Sequence, residues 1–181
     1  MRAPFDAAVT RHGPAVLRVC RAVLGPGPDA DDAWSETFLS ALRAWPDLPE
    51  TTNVEAWLVR VAHRRAVDVV RRHARAATPA GAADELADLA VLEGWVPGAV
   101  GEADAVAVSG GIWDAVAALP ARQRVCVAYR YLGGLTYAEV AELAGGSEAA
   151  ARRAAADGVA ALRRTLDPDR HPSGRRQEDA T

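Results

Sequence analysis

Arg60, His63, Arg64, Arg65, Arg71, Arg72 and Arg75 fall within sixteen residues whose one acid is Asp68, and His73 lies among them. A basic run often marks a solvated helix end, where cations complement the helix dipole. At this density the stretch suits a polyanionic backbone better. A second group is acidic: Asp29, Asp31, Asp32 and Glu36 crowd the start of one predicted helix. The dipole accounts for Asp31 and Asp32 without any partner, but Glu36 lies beyond the first turn. Asp32 and Glu36 stand four residues apart and share a face beside Trp34, Phe38 and Leu39, which makes an acidic and apolar docking surface for a basic protein. A third group is Arg152 and Arg153, placed with Ala149 and Ala156 opposite the apolar stripe Ala155, Val159, Leu162 and Leu166. Small residues let a backbone approach a groove closely. Arg163 and Arg164 follow eleven residues later at nearly the same azimuth, ~16 Å along the axis, so two Arg pairs can touch a groove and a flanking phosphate row. The same spacing fits an αα-hairpin with an Arg-dotted solvated face.

Enzyme chemistry finds no such constellation. His12, His63, His73 and His171 form no metal-ligand spacing, no Gly-rich phosphate loop follows a strand, and no Ser or Cys sits in a nucleophile motif. We therefore expect no catalytic residue, no metal site and no cofactor. Cys20 and Cys126 lie far apart without a CxxC partner, which predicts free thiols in a reducing compartment. No apolar stretch reaches ~18 residues, and the N-terminus lacks a secretory apolar region. A cytoplasmic protein without membrane contact is expected.

Punctuation defines the elements that must position these groups. Pro14 opens a helix to Leu24 ended by Gly25, with a separate short helix before His12. Asp29 caps a helix over Ala30 to Trp45, stopped by Pro46, and Asn53 caps a long helix from Val54 to about Ala76. The apolar spacing of Val54, Trp57, Leu58 and Val61 places Trp57 in the core. Further on, helices are predicted over Ile112 to Ala118 and Pro120 to Tyr131. Thr136 and Glu139 then form a capping box, Gly145 and Gly146 a turn, and Ser147 caps a helix from Glu148 to Leu166. The last two helices make a helix-turn-helix. Between the halves, residues 78–111 hold six acids and no base and are rich in Gly and Pro. Asp84 to Trp95 could form one isolated helix within this linker.

The chain has 181 residues, a net charge of -3, and Arg as its only basic residue type apart from His. That balance excludes a histone-like coat for nucleic acid, so DNA contact must come from local patches. With 41 Ala the composition favours helix over strand. The fold class is all-α, with two small helical domains over residues 1–77 and 112–167, the acidic linker over 78–111 and a disordered tail over 168–181.

The stretch from Asp29 to Trp45 resembles the core-polymerase-binding helix of the extracytoplasmic-function sigma factors. Residues Ala56 through Asp68, with Arg71 and Arg72, resemble their following helix, which handles the promoter's minus-ten element. The segment Leu119 to Arg124, followed by Tyr129 to Leu143, is similar to the domain that reads the minus-thirty-five element. The motifs stand in order, at matching spacing, across nearly the whole chain. The resemblance implies a sigma factor that binds core RNA polymerase and directs promoter recognition and initiation. Asp29, Asp32, Glu36, Phe38 and Leu39 would meet the beta-prime clamp, and the second domain the beta flap. Arg60, His63, Arg64, Arg71, Arg72 and Arg75, with the loop from Trp45 to Val54, would face the minus-ten region. Ser147, Glu148, Arg152 and Arg153 would face the minus-thirty-five element, and an anti-sigma factor is implied as a further partner. Arg64 stands where the family usually has Asn, and Ala154 and Asp157 where its recognition helix commonly carries Arg or Lys, which implies altered promoter contacts. The rival is a sigma-like DNA-binding regulator or decoy that does not support initiation. For the acidic linker two readings stay open: occupation of a polymerase channel, or folding back over Arg71, Arg72, Arg152 and Arg153.

Overall fold

The computed structural model of the chain describes residues 3–77, 88–93, 95 and 111–167. The described elements are all helical: α1 (Phe5–Leu24), α2 (Pro28–Ala44), α3 (Val54–Ala77), α4 (Asp88–Glu93), α5 (Ile112–Ala117), α6 (Ala121–Val127), a π-helical turn (Ala128–Leu132), α7 (Tyr137–Ala144) and α8 (Glu148–Leu166).

Helix α1 is continuous through Pro14, where two helices were expected. Proline removes one backbone donor and usually kinks or breaks a helix. Here the residues before and after it, Ala8 on one side and Val16, Val19, Cys20 and Val23 on the other, are buried on one face, so packing favours a single rod. Gly13 helps: its carbonyl accepts from Trp34 Nε1 at 3.0 Å, and a Cβ there would touch the indole at 3.5 Å. Helix α2 begins two residues earlier than the acid pattern suggested, with Pro28 at its first position and Gly27 before it. Asp29 is therefore not the cap. Asn53 does cap α3, its Oδ1 accepting from the Ala56 amide at 3.2 Å.

The capping box of α7 forms as the sequence implied, with Thr136 and Glu139 exchanging side-chain and backbone bonds. Ser147 Oγ accepts from the Ala150 amide at the start of α8. Beneath α8, Gly158 permits a close crossing with α6, because a Cβ at that position would lie 2.7 Å from Val127 Cγ2.

The two halves are not held apart. One apolar cluster runs from Val16, Val19 and Val23 of α1 through Leu58, Val59 and Val67 of α3 to Tyr129, Leu135 and Val140. Between them, α4 is no isolated helix: Leu92 is fully buried and Trp95 Nε1 donates to the Leu24 carbonyl at 3.2 Å. Arg124, 3% exposed, donates to the carbonyls of Ala117 and Leu119 and also to those of Leu92 and Trp95. A guanidinium spread over four carbonyls can be buried without a carboxylate. The linker residues 78–87, 94 and 96–110 and the tail 168–181 lie outside the described residues, as do the expectations placed on them.

Candidate nucleic-acid interface

Helix α3 carries two cationic rows because residues three, four, seven and eleven apart share a face. Arg60, Arg64, Arg71 and Arg75 form one row, while Arg65, Asp68 and Arg72 turn toward α2. The second row shares a cleft of about 230 Å³ with Asp32, Ser35 and Glu36. Arg72 thus stands beside the acidic face and away from the Arg60 row. Arg65 is tied down there, donating to Asp68 at 3.0 Å and to Ser40 Oγ at 3.0 Å.

On α2, Asp32 and Glu36 are exposed side by side, and Leu39 is 49% exposed. Phe38 does not join them. It is buried, its ring 4.9 Å from Trp34 and 6.3 Å from Phe5, since the position four residues after Trp34 falls on the core side of the helix. Asp29 turns the other way, meeting His73 Nε2 at 2.9 Å. The exposed large apolar side chains of α2 are Leu39 and Leu42, of which the sequence reading named only Leu39. Their spacing of three on the acidic helix was the available signal.

His63 is also inside. Its Nδ1 lies 2.6 Å from the Tyr129 hydroxyl and its Nε2 3.2 Å from Asp88 Oδ2. A carboxylate only accepts, so Nε2 carries the proton and Nδ1 accepts from the tyrosine. Burial lowers the His63 pKa, opposed by Asp88, and raises that of Tyr129. A side chain enclosed this way cannot touch DNA in this arrangement. Arg60 pairs with Glu139 at 3.4 Å and Glu142 at 3.0 Å, and Arg71 meets Asp88 at 3.2 Å. Arg64 is exposed. The loop after α2 is folded into tight turns, with the Trp45 ring 5.3 Å from Phe5. Trp57 packs against the core.

In the second half, a cleft of about 540 Å³ opens between α6 and α8, lined by Pro120, Arg122, Gln123, Ser147, Arg153 and Asp157. Arg122 was missed in the sequence reading. It reaches across to donate to the Gly145 carbonyl at 2.7 Å, a contact no local pattern reveals. Arg152 is engaged, 2.7 Å from Glu148 and over the Tyr137 ring, whose other cationic neighbour is Arg130. Glu148 therefore holds an arginine. Arg153 is exposed and has no acidic partner among the described residues. Ala154 is buried, so an arginine at that place in the helix would need a different rotation of α8, whereas Asp157 is exposed at the cleft.

The family description "Sigma-70 region 2" matches residues 8–76, and "Sigma-70, region 4" matches residues 109–162. Along 178 residues the chain is 33% identical to the ECF RNA polymerase sigma factor SigK of Mycobacterium tuberculosis (strain ATCC 25618 / H37Rv), covering 90% of this chain and 83% of the relative. The chain belongs to the ECF RNA polymerase sigma factors. SigK of Mycobacterium ulcerans (strain Agy99) is 30% identical over 168 residues, with the same two shares of 90% and 83%. In fold, the sigma factor is similar to CnrH, solved in complex with the cytosolic domain of CnrY, with a TM-score of 0.56 and 23% identity over 91% of this chain and 88% of that one. As a sigma factor it binds core RNA polymerase and promoter DNA and directs promoter recognition. No described helix of the sigma factor is long and apolar enough to cross a membrane, and no group of three or more metal-ligating side chains occurs among its described residues.

Proposed function

We propose that the two faces of the first half divide the work of initiation. The acidic face of α2, formed by Asp32 and Glu36 with Leu39 beside them, docks the beta-prime clamp of core polymerase. The α3 row of Arg60, Arg64, Arg71 and Arg75 and the Trp45-to-Val54 loop face the minus-ten region, and the α6–α8 cleft with Arg153 faces the minus-thirty-five element. The observation that carries this reading is the separation on α3 of a cleft shared with α2's acids from the Arg60 row. Non-enzymatic action follows, since the polymerase supplies the chemistry, and the cytoplasm is where polymerase and promoter meet. The beta flap remains the partner proposed for the second half. An anti-sigma partner is supported by the resemblance and by the similar fold of CnrH having been solved with a bound cytosolic domain.

Asp32→Arg combined with Glu36→Arg tests the docking face. Exposed charges contribute little to stability, so helical content should hold while co-purification with core polymerase is lost. Undiminished binding would remove the polymerase from that face.

A further inference from the structure

Helix α8 sets an arginine and a carboxylate four residues apart twice, and the two pairs behave differently. Glu148 precedes Arg152, and the two are bonded at 2.7 Å. Arg153 precedes Asp157, and among the described residues no ion pair joins them. Order matters on a helix: an acid N-terminal to its base at this spacing is the favoured arrangement, and the reverse is the weaker one. Arg153 and Asp157 are both exposed and line the same cleft of about 540 Å³ beside α6. The cleft therefore presents a donor fork and an acceptor one turn apart, ~6 Å along the axis.

The neighbouring side chains are short or engaged. Ala149, Ala156 and Ala160 are exposed but offer only a methyl group. Ser147 Oγ is spent on the Ala150 amide, Arg152 lies over the Tyr137 ring at 5.1 Å, and Arg122 on the α6 wall donates to the Gly145 carbonyl. A carboxylate accepts and never donates, so a phosphate row gives Asp157 nothing to bond. A base edge does. In the major groove cytosine presents its N4 amino group as a donor, guanine presents only the N7 and O6 acceptors, and thymine presents O4 and a methyl group; adenine sets an acceptor beside its donor.

Resting on the assignment of the α6–α8 cleft to the minus-thirty-five element, we infer that Asp157 is a specificity-determining residue that accepts from the N4 amino group of a cytosine, within two base-pair steps of a guanine edge to which Arg153 donates. The spacing fits, because four helical residues advance about as far as two steps of ~3.4 Å along B-DNA. Asp157 works largely by exclusion. Opposite guanine or thymine the carboxylate would lose its water and meet another acceptor, whereas opposite cytosine the bond is made.

The test uses holoenzyme assembled from the full chain and core polymerase. Its template is a promoter that the wild-type protein uses, with only the minus-thirty-five region randomised and each template barcoded in its transcribed part. Wild-type holoenzyme should favour a guanine at one position and a cytosine within two steps of it, by about tenfold or more over the wrong base. Asp157→Ala changes an exposed side chain, so the fold should hold. It should flatten the cytosine preference, raise transcription from templates that lack this base, and leave the guanine preference intact. Arg153→Ala should do the converse. An Asp157→Ala protein that keeps the wild-type profile, or that transcribes every sequence more strongly by the same factor, would overturn the inference, the second result marking the carboxylate as a charge that merely repels phosphate. Failure of the underlying assignment looks different and takes the inference with it: the wild-type and Arg153→Ala proteins would both show no preference anywhere in the randomised region.

Discussion

At residue scale, charge partners separate the groups that can act from those that hold the fold. Arg152 must give up Glu148 and the Tyr137 ring before it can touch DNA, whereas Arg153 needs to give up no acidic partner among the described residues. Arg153→Ala should therefore weaken promoter binding more than Arg152→Ala. The expected cost is about 1–3 kcal/mol if Arg153 reads a base edge, and a smaller, sequence-independent loss if it touches phosphate. Binding measured on several minus-thirty-five sequences separates the two, and equal effects of both substitutions would contradict the assignment. His63 gives a pH prediction. Its pKa is lowered from 6.5 by burial, so between the folded value and 6.5 the unfolded chain binds more protons. Stability is thus full above 6.5 and is lost as pH falls below it. His12, also lowered by burial, adds in the same direction. Thermal unfolding at pH 7.5 and pH 5.5 should show the lower midpoint at acid pH, with the difference reduced in His63→Gln. Asp88, Arg64 and Tyr129 face the same imidazole, so an unchanged difference would assign the acid loss to another group.

At the scale of elements, Gly158 opposes local propensity to tertiary packing. Alanine is the better helix former by about 1 kcal/mol. Its Cβ would nevertheless press to 2.7 Å on Val127 Cγ2 and 3.3 Å on Gln123 Cβ, and the β-branched valine has little freedom to yield. Overpacking typically costs about 1–3 kcal/mol. Gly158→Ala should therefore destabilise, read as a lower urea midpoint at unchanged slope, and a stabilised protein would show that the crossing relaxes freely. Helix ends were legible in the sequence for the same reason that they are stable: the Thr136–Glu139 box and the Asn53 and Ser147 caps are local chemistry. Helix α1 was misread because Pro14 sends a local signal that packing on both sides overrides. Phe38 was misread as surface because sequence neighbours of an acidic face are not its spatial neighbours on a helix.

At the scale of the molecule, the two halves and the function were visible in ordered motifs, while their union was not. Tyr129, Leu135 and Val59 each look like ordinary core residues of separate domains, and Leu92 falls in the acidic linker between them. Nothing in their spacing says that they share one core. Nor can a sequence show that Glu139 and Glu142 face Arg60 from seventy-nine and eighty-two residues away. The division of labour between α2 and α3 is the central claim, and run-off transcription with core polymerase on a library of promoters tests it most directly. The wild-type chain should generate discrete transcripts that depend on its presence, and the Asp32→Arg, Glu36→Arg protein should yield none of them. The same transcripts from both proteins would contradict the account.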